Sequence, residues 1–400
     1  MRKFHRMLAV CALVGLVAAA CSNGGGSSTG GGGGSGPKPV DTIGATEGQL
    51  NLIAWPGYTE KSWVKPFEAE TSCRVTVKYG NTSDEMVNLM RQGGGSQYDG
   101  CSCSGDATNR LIAAGDVAPV DVTKLFPQYA DVMPSLQSPA HNTVNGVHYG
   151  VPYMWGPNFL MYNTDVVKAA PTSWASVFET QLNGQPNPYA GKITAYDSPI
   201  YIADAALYLK AHDSSLGITD PYELTQDQLT AATDLLQKQA GMIKKYWAVY
   251  TDEIDGFKSG DMVIGTAWPV NLQYTAAEKV PVASVIPSEG VTGWADTWMM
   301  STHAQHPNCM LKWMEYTLRP DVQTKVAEFY GATPSNTKSC PQLVKDLTPS
   351  VAASYHCGDD AFLSQVKLWK TPLSDCGDNR GKTCMDYAAW TNAWTVVRGQ

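Results

Sequence analysis

Apolar positions along this chain recur at the spacing of strands and at the spacing of helices, and the two patterns take turns. Gln49 to Ala54 alternates and predicts a strand, and Trp63 to Glu70 predicts a helix. Arg74 to Tyr79 reads as a second strand, and Ser83 to Arg91 as a helix with Ser83 at its N-cap. Tyr98 to Cys103 reads as a third strand, followed by a helix from Asp106 to Ala114 capped by Ser104 or Asp106. Strands alternating with helices predict a parallel α/β sheet. Ligands of such sheets bind beyond the carboxyl ends of the strands. Trp55, Tyr58, Ser104 and Asp106 all fall there.

The alternation continues past the middle of the chain. Tyr149 to Pro152 and Phe159 to Asn163 read as strands, and Thr172 to Glu179 as a capped helix. Lys192 to Ala195 is a strand that runs through Asp197-Ser198-Pro199 into an apolar helix from Ile200 to Leu209. Asp197 there suits an N-cap, with proline in the first turn. Met262 to Ala267, Val282 to Ile286 and Trp294 to Met300 are further strands, and Cys309 to Leu318 is a long helix. Tyr387, Trp390 and Trp394 form a packing stripe on a last helix. The Asp252-Glu253-x-Asp255 cluster reads as a solvated turn, because it lacks the later glutamate of a calcium loop.

The N-terminus carries a different signal. Arg2, Lys3 and Arg6 precede an apolar run from Met7 to Ala20, too short to span a bilayer but suited to a signal segment. Cys21 follows small residues, as in a bacterial lipobox, with Ala18 where leucine is usual. Residues 1–20 therefore read as a signal peptide, and Cys21 as a lipidated first residue on a Gly/Ser-rich tether, 21–47. The G-x-G-x-x-G from Gly31 to Gly36 has neither a strand before it nor a helix after it, so it is not a dinucleotide site.

Composition narrows the function. A chain of 400 residues with 43% hydrophobic and 16% charged residues suits two globular lobes. The net charge of −8 leaves no basic stripe for nucleic acid and mildly favours cationic ligands. Eight cysteines beyond Cys11 and Cys21 predict disulfides in an exported protein. Cys340 with Cys357 and Cys376 with Cys384 are the local pairs. Cys73, Cys101, Cys103 and Cys309 supply two more bridges of open connectivity. The His303-x-x-His306-x-x-Cys309 spacing falls in a loop between strand and helix, and no metal or other cofactor is expected. Neither a nucleophile elbow set between strand and helix nor an H-E-x-x-H pair invites an enzymatic reading.

An ordered series of landmarks resembles the bacterial periplasmic polyamine-binding family, receptors for spermidine and putrescine that serve ABC importers. The series includes Trp55-x-x-Tyr58, Phe67-Glu68-x-Glu70-Thr71, Tyr98-Asp99, Val151-Pro152-Tyr153-Met154-Trp155-Gly156 and Thr172-Ser173-Trp174. Gly260-Asp261-x-x-Ile264-Gly265-x-x-Trp268, Pro287-x-Glu289-Gly290, Leu318-Arg319-Pro320-Asp321-Val322 and Thr333-Pro334 complete it. The resemblance implies an α/β, two-lobed periplasmic-binding-protein fold of type II, the Venus-flytrap, with parallel-rich sheets and hinge strands. Lobe 1 would hold residues 48–154 and 295–342, and lobe 2 residues 155–294 and 343–400. Such lobes close on a ligand by hinge motion.

The same resemblance implies a monomeric, lipid-anchored receptor on the outer face of the cytoplasmic membrane. It would bind a small cationic amine, a polyamine first and a zwitterion or other amine second, and deliver it to a membrane permease. Ammonium groups need carboxylates, and their aliphatic chains need aromatic walls. Trp55, Tyr58, Trp268 and Trp294 carry over as walls, Asp197 and Asp296 as anions from opposite lobes, and Ser104 as a supporting hydroxyl. Three positions depart from the family pattern. Pro56 and Gly57 replace an acidic residue, Ile200 replaces a carboxylate, and Lys370 stands where a polar contact is usual. Asp106 occupies an aromatic position and would restore one negative charge.

Overall fold

The computed structural model describes residues 38–346 and 353–399. The signal segment, Cys21 and the Gly/Ser run lie outside the described residues.

The first three strands form as β1 (Gln49–Ala54), β2 (Arg74–Tyr79) and β3 (Gly100–Ser104), with β1 parallel to both others. After them come α1 (Lys61–Thr71), α2 (Ser83–Met90) and α3 (Gly105–Ala114) respectively. α1 buries Trp63, Val64 and Phe67 on one face. Thr82 rather than Ser83 caps α2, accepting the Glu85 N–H, while the Ser83 hydroxyl donates to Asp106 at 2.8 Å. Ser104 is the N-cap of α3 by position, yet its side chain makes no capping bond. It is committed elsewhere.

β4 (Val151–Pro157) belongs to this first sheet and β5 (Phe159–Asn163) to a second, with only Asn158 between them. The second sheet adds β6 (Ile193–Tyr196), β7 (Ile243–Trp247), β8 (Ile264–Ala267) and β9 (Val282–Val285), in the order β7-β6-β8-β5-β9. Its helices are α4 (Ile202–His212), α5 (Gln226–Ala240), α6 (Tyr250–Ser259) and α7 (Pro269–Ala277). Glu253, expected in a solvated turn, sits fully buried on α6. Asp197 does not cap the turn before α4; Ser198 does, accepting the Ile200 N–H.

β10 (Thr292–Met300) then returns to the first sheet, antiparallel to both β3 and β4. With β11 (Thr333–Pro334) the order there becomes β11-β4-β10-β3-β1-β2, and β12 (Lys367–Leu368) runs parallel beside β10. Both sheets are mixed: antiparallel strands join each one where the chain crosses over. The two crossings are tied together. The Asn158 N–H donates to the Thr292 carbonyl at 2.9 Å, and Asn158 Nδ2 donates to Thr292 Oγ1 at 2.7 Å. Thr292 Oγ1 in turn donates to Asp204 of α4 at 3.0 Å.

The described part of residues 343–400, expected in the second lobe, divides between the two sheets. β12 and Trp369 follow β10, with the Trp369 N–H on the Gly293 carbonyl at 2.7 Å. The last helix, α10 (Tyr387–Val397), buries Trp390 and Trp394 and packs on α5. Val40 and Glu47, expected in the tether, are docked as well. Val40 pairs with Val120, and the Glu47 carboxylate accepts the N–H groups of Asn308 and Cys309 at the start of α8 (Pro307–Thr317). A carboxylate there meets the positive end of the helix.

All four disulfides form among the described residues. Cys340–Cys357 and Cys376–Cys384 are the anticipated local pairs, and Cys73–Cys309 and Cys101–Cys103 resolve the open connectivity. Cys309 is thereby removed from the His303–His306 spacing, and His306 Nδ1 lies 2.9 Å from Asp99. Among the described residues no three His, Cys, Asp or Glu side chains cluster to hold a metal ion, and no helix is long and apolar enough to cross a membrane.

Candidate functional site

The carboxyl ends of strands from both sheets converge on two adjoining cavities. The first, about 260 Å³, is lined by Trp55, Ser104, Trp268, Trp294, Asp296, Tyr330 and Trp369. The second, about 310 Å³, shares Trp55, Trp268 and Trp369 and adds Ser83, Tyr196, Asp197, Ser198 and Trp247 among others.

Local sequence explains how each wall is presented. Trp55-Pro56-Gly57-Tyr58 closes a tight turn after β1, with the Tyr58 N–H on the Trp55 carbonyl at 3.2 Å. Proline suits its second position, and Gly57 holds φ +95° at its third. A Cβ on Gly57 would stand 2.6 Å from the Tyr330 ring, so the loop lies directly against Tyr330, the last residue of α9 (Pro320–Tyr330). Trp268 follows β8 and precedes α7, where Asn271 Oδ1 accepts its N–H at 3.1 Å. Its indole is a hub, with ring centroids of Trp247, Tyr196, Trp369 and Trp294 at 4.6, 6.2, 6.3 and 6.5 Å. Opposite Trp294 stands Gly156, whose missing Cβ leaves room for that indole.

Asp296 lies at the centre. The pairing of β10 with β4 shifts register between Ala295 and Thr297, so Asp296 falls at the irregularity while facing Ser104 across β3. Ser104 Oγ donates to one carboxylate oxygen, and Tyr58 Oη donates to the other at 2.6 Å. Burial pushes the Asp296 carboxyl up to about 7, and these two hydroxyls hold it from going further. It is a nearly dry carboxylate walled by rings, suited to a cation.

Six of the nine residues anticipated as ligand contacts, Trp55, Tyr58, Ser104, Trp268, Trp294 and Asp296, meet at the first cavity. Tyr58 does so through its bond to Asp296. Asp197 lines the second cavity, where Trp394 Nε1 donates to it at 3.0 Å and Arg398 lies 3.3 Å away. Asp106 lines neither cavity: it is fully buried behind Ser83, and burial pushes it up to about 6. Lys370 is outside the aromatic box. Its Nζ is held by Asp220 at 3.0 Å and Glu223 at 2.5 Å, on an open groove with Asn109 and Leu373. The alternation of β12 and its continuation turns Trp369 inward and Lys370 outward.

Sequence reasoning missed Tyr330, Trp369, Tyr196 and Trp247. Tyr196 and Trp247 end strands, so the strand-end rule that found Trp55 applies equally to them. β7, Ile-Lys-Lys-Tyr-Trp, has too little alternation to stand out as a strand.

The model of the bacterial extracellular solute-binding proteins matches residues 62–353. The chain belongs to that family. Members of it are transport components rather than enzymes. This solute-binding protein is 26% identical to the putrescine-binding periplasmic protein PotF of Escherichia coli over 375 residues, 90% of this chain and 94% of PotF. It is 25% identical to the putrescine/agmatine-binding protein of Pseudomonas aeruginosa over 334 residues, covering 79% of this chain and 86% of that one. Among solved structures, a putative spermidine/putrescine ABC transporter protein from Listeria monocytogenes superposes with a TM-score of 0.71 at 18% identity, over 88% of this chain and 99% of that one. The TpPotD lipoprotein of Treponema pallidum superposes with a TM-score of 0.69 at 19% identity, over 88% and 100%. Those likenesses establish the two-lobed periplasmic-binding fold. Membership of the solute-binding family implies a small-molecule ligand and a membrane permease as partner.

Proposed function

We propose that this protein captures a small organic amine outside the cytoplasmic membrane and hands it to an ABC importer. Asp296 carries the reading: a buried carboxylate, bonded by Ser104 and Tyr58, inside a box of indoles and a phenol. A carboxylate in an apolar box is costly unless a cation joins it, and an ammonium over a Trp face gains roughly 0.5 to 2 kcal/mol. Polyamines are the class named for the curated relatives. The assignment extends to a signal peptide over residues 1–20, a lipid anchor at Cys21 and a monomer. In it, residues 48–154 with 295–342 move against residues 155–294 about the Asn158–Thr292 crossing.

The test is a thermal-shift series with putrescine, spermidine, choline and amino acids, followed by calorimetry on each ligand that raises the melting temperature. A ligand at a hundred times its Kd stabilises the folded chain by about 2.7 kcal/mol. Flat curves for every amine would remove the amine assignment and leave the transport role in place. Cys21→Ser should release the protein from the membrane fraction of cells that make it.

A further inference from the structure

The amine reading leaves open how many positive charges the cleft accommodates, and the second cavity bears on that directly. A ligand with two ammonium groups needs an anion at each end. The first cavity supplies Asp296. The only other carboxylate that lines either cavity, among the described residues, is Asp197, and it is already matched. Arg398 Nε lies 3.3 Å from Asp197 Oδ1, and the Trp394 indole donates to the same oxygen at 3.0 Å. Arg398 is itself held in place, its guanidinium 4.4 Å over the Tyr246 ring. Both partners of Asp197 come from the end of α10, which the Trp390 and Trp394 stripe anchors. Asp197 and Arg398 together present no net charge to the cavity.

The remaining lining of the second cavity supplies no further carboxylate for a second ammonium. Indole N–H groups of Trp247, Trp268 and Trp369 have no hydrogen-bond partner within the protein. Their ring faces attract a cation, but their N–H groups are donors and cannot accept from an ammonium. The other polar side chains there are neutral: Thr82 accepts from Glu85, Ser198 accepts from Ile200, Ser83 donates to Asp106, Tyr196 donates to Asp204 and Asn81 donates to Glu85. Asp106 stands behind Ser83 without touching the cavity.

Resting on the amine reading, we infer that the cleft selects an amine with a single positive charge. The ammonium sits on Asp296, an uncharged or acceptor-bearing end meets the indole N–H groups, and Arg398 sets the preference by occupying Asp197. Arg398 is thus a specificity residue that acts through Asp197 and not by touching the ammonium.

The test uses n-butylamine and putrescine, which share a four-carbon chain and differ by one charge. Calorimetry on the intact mature protein should give butylamine at least a tenfold lower Kd than putrescine. Equal or tighter putrescine binding overturns the inference while the amine reading stands; no binding of either, or of spermidine or choline, overturns both. In Arg398→Ala the ratio of the two Kd values should move at least fivefold toward putrescine, and in Arg398→Lys it should stay near that of the parent. An unmoved ratio in Arg398→Ala, in protein whose circular dichroism and melting curve match the parent, refutes the role of Arg398.

Discussion

The Tyr58 hydroxyl donates to Asp296 at 2.6 Å, joining the turn after β1 to the middle of β10 across 238 positions of sequence. The bond fixes the carboxylate in the aromatic box and leaves its remaining lone pairs toward the cavity. Asp296→Asn keeps the shape and removes the charge. It should weaken binding of an ammonium ligand by about 1.5 to 3 kcal/mol, measured by calorimetry at pH 8. Because burial pushes this carboxyl up to about 7, the parent protein should lose affinity as pH falls below 7. The loss approaches tenfold per pH unit, whereas the Asp296→Asn variant should show a flat profile. An unchanged affinity in the variant would refute Asp296 as the ammonium partner.

Asp204 bears on stability in the ligand-free protein. It accepts from Tyr196 at 2.5 Å and Thr292 at 3.0 Å, and burial pushes it up to about 7. In the unfolded chain it ionises near an ordinary ~3.9. Between those values the folded state holds a proton that the unfolded state has released. Its contribution to stability is therefore fully present below about 4 and is lost as pH rises through about 7. Asp204→Asn should gain on the parent between pH 5 and 8, by about 2.5 kcal/mol. Urea unfolding of both proteins at the two pH values checks it, and a constant difference between them would contradict this account.

Gly105 opens α3 with the Trp369 carbonyl only 1.9 Å from where its Cβ would stand. That neighbour is backbone and cannot swing aside. Gly105→Ala should push the Trp369 segment off β10, costing about 1–3 kcal/mol of stability and at least tenfold in ligand affinity. Gly241→Ala is the control, since its Cβ meets only the Lys238 carbonyl at 3.6 Å. Melting curves and calorimetry on both variants should separate them.

The Cys73–Cys309 bridge spans 236 positions and ties the α1–β2 junction to the start of α8. Replacing both residues with serine should destabilise the protein by about 2–5 kcal/mol in urea and leave ligand affinity unchanged. A matching loss of affinity would mean that this bridge also shapes the cleft.

Much of the site was legible because strand ends are legible. Trp55, Ser104, Trp268 and Asp296 stand where strands finish or alternate, and period-two patterning marks such places. Lys370 was misplaced by one residue's alternation, with its neighbour Trp369 facing the cavity instead. Ser83 and Ser104 both look like caps, but Asp106 and Asp296 capture their hydroxyls. A hydroxyl that donates to a buried carboxylate is oriented by that strong bond rather than by the helix N–H groups.

Local order in the chain determined the alternation of strands and helices, the family landmarks and the two short disulfides, since each depends on neighbours within a few residues. Only the tertiary structure decided that Arg398 meets Asp197, that Trp369 and Tyr330 complete the aromatic box, and that Cys73 pairs with Cys309. Those contacts join distant segments through packing, and burial, tempered by bonded hydroxyls, raises the carboxyls of Asp296 and Asp204. Neither packing nor burial is a property of any short stretch of sequence.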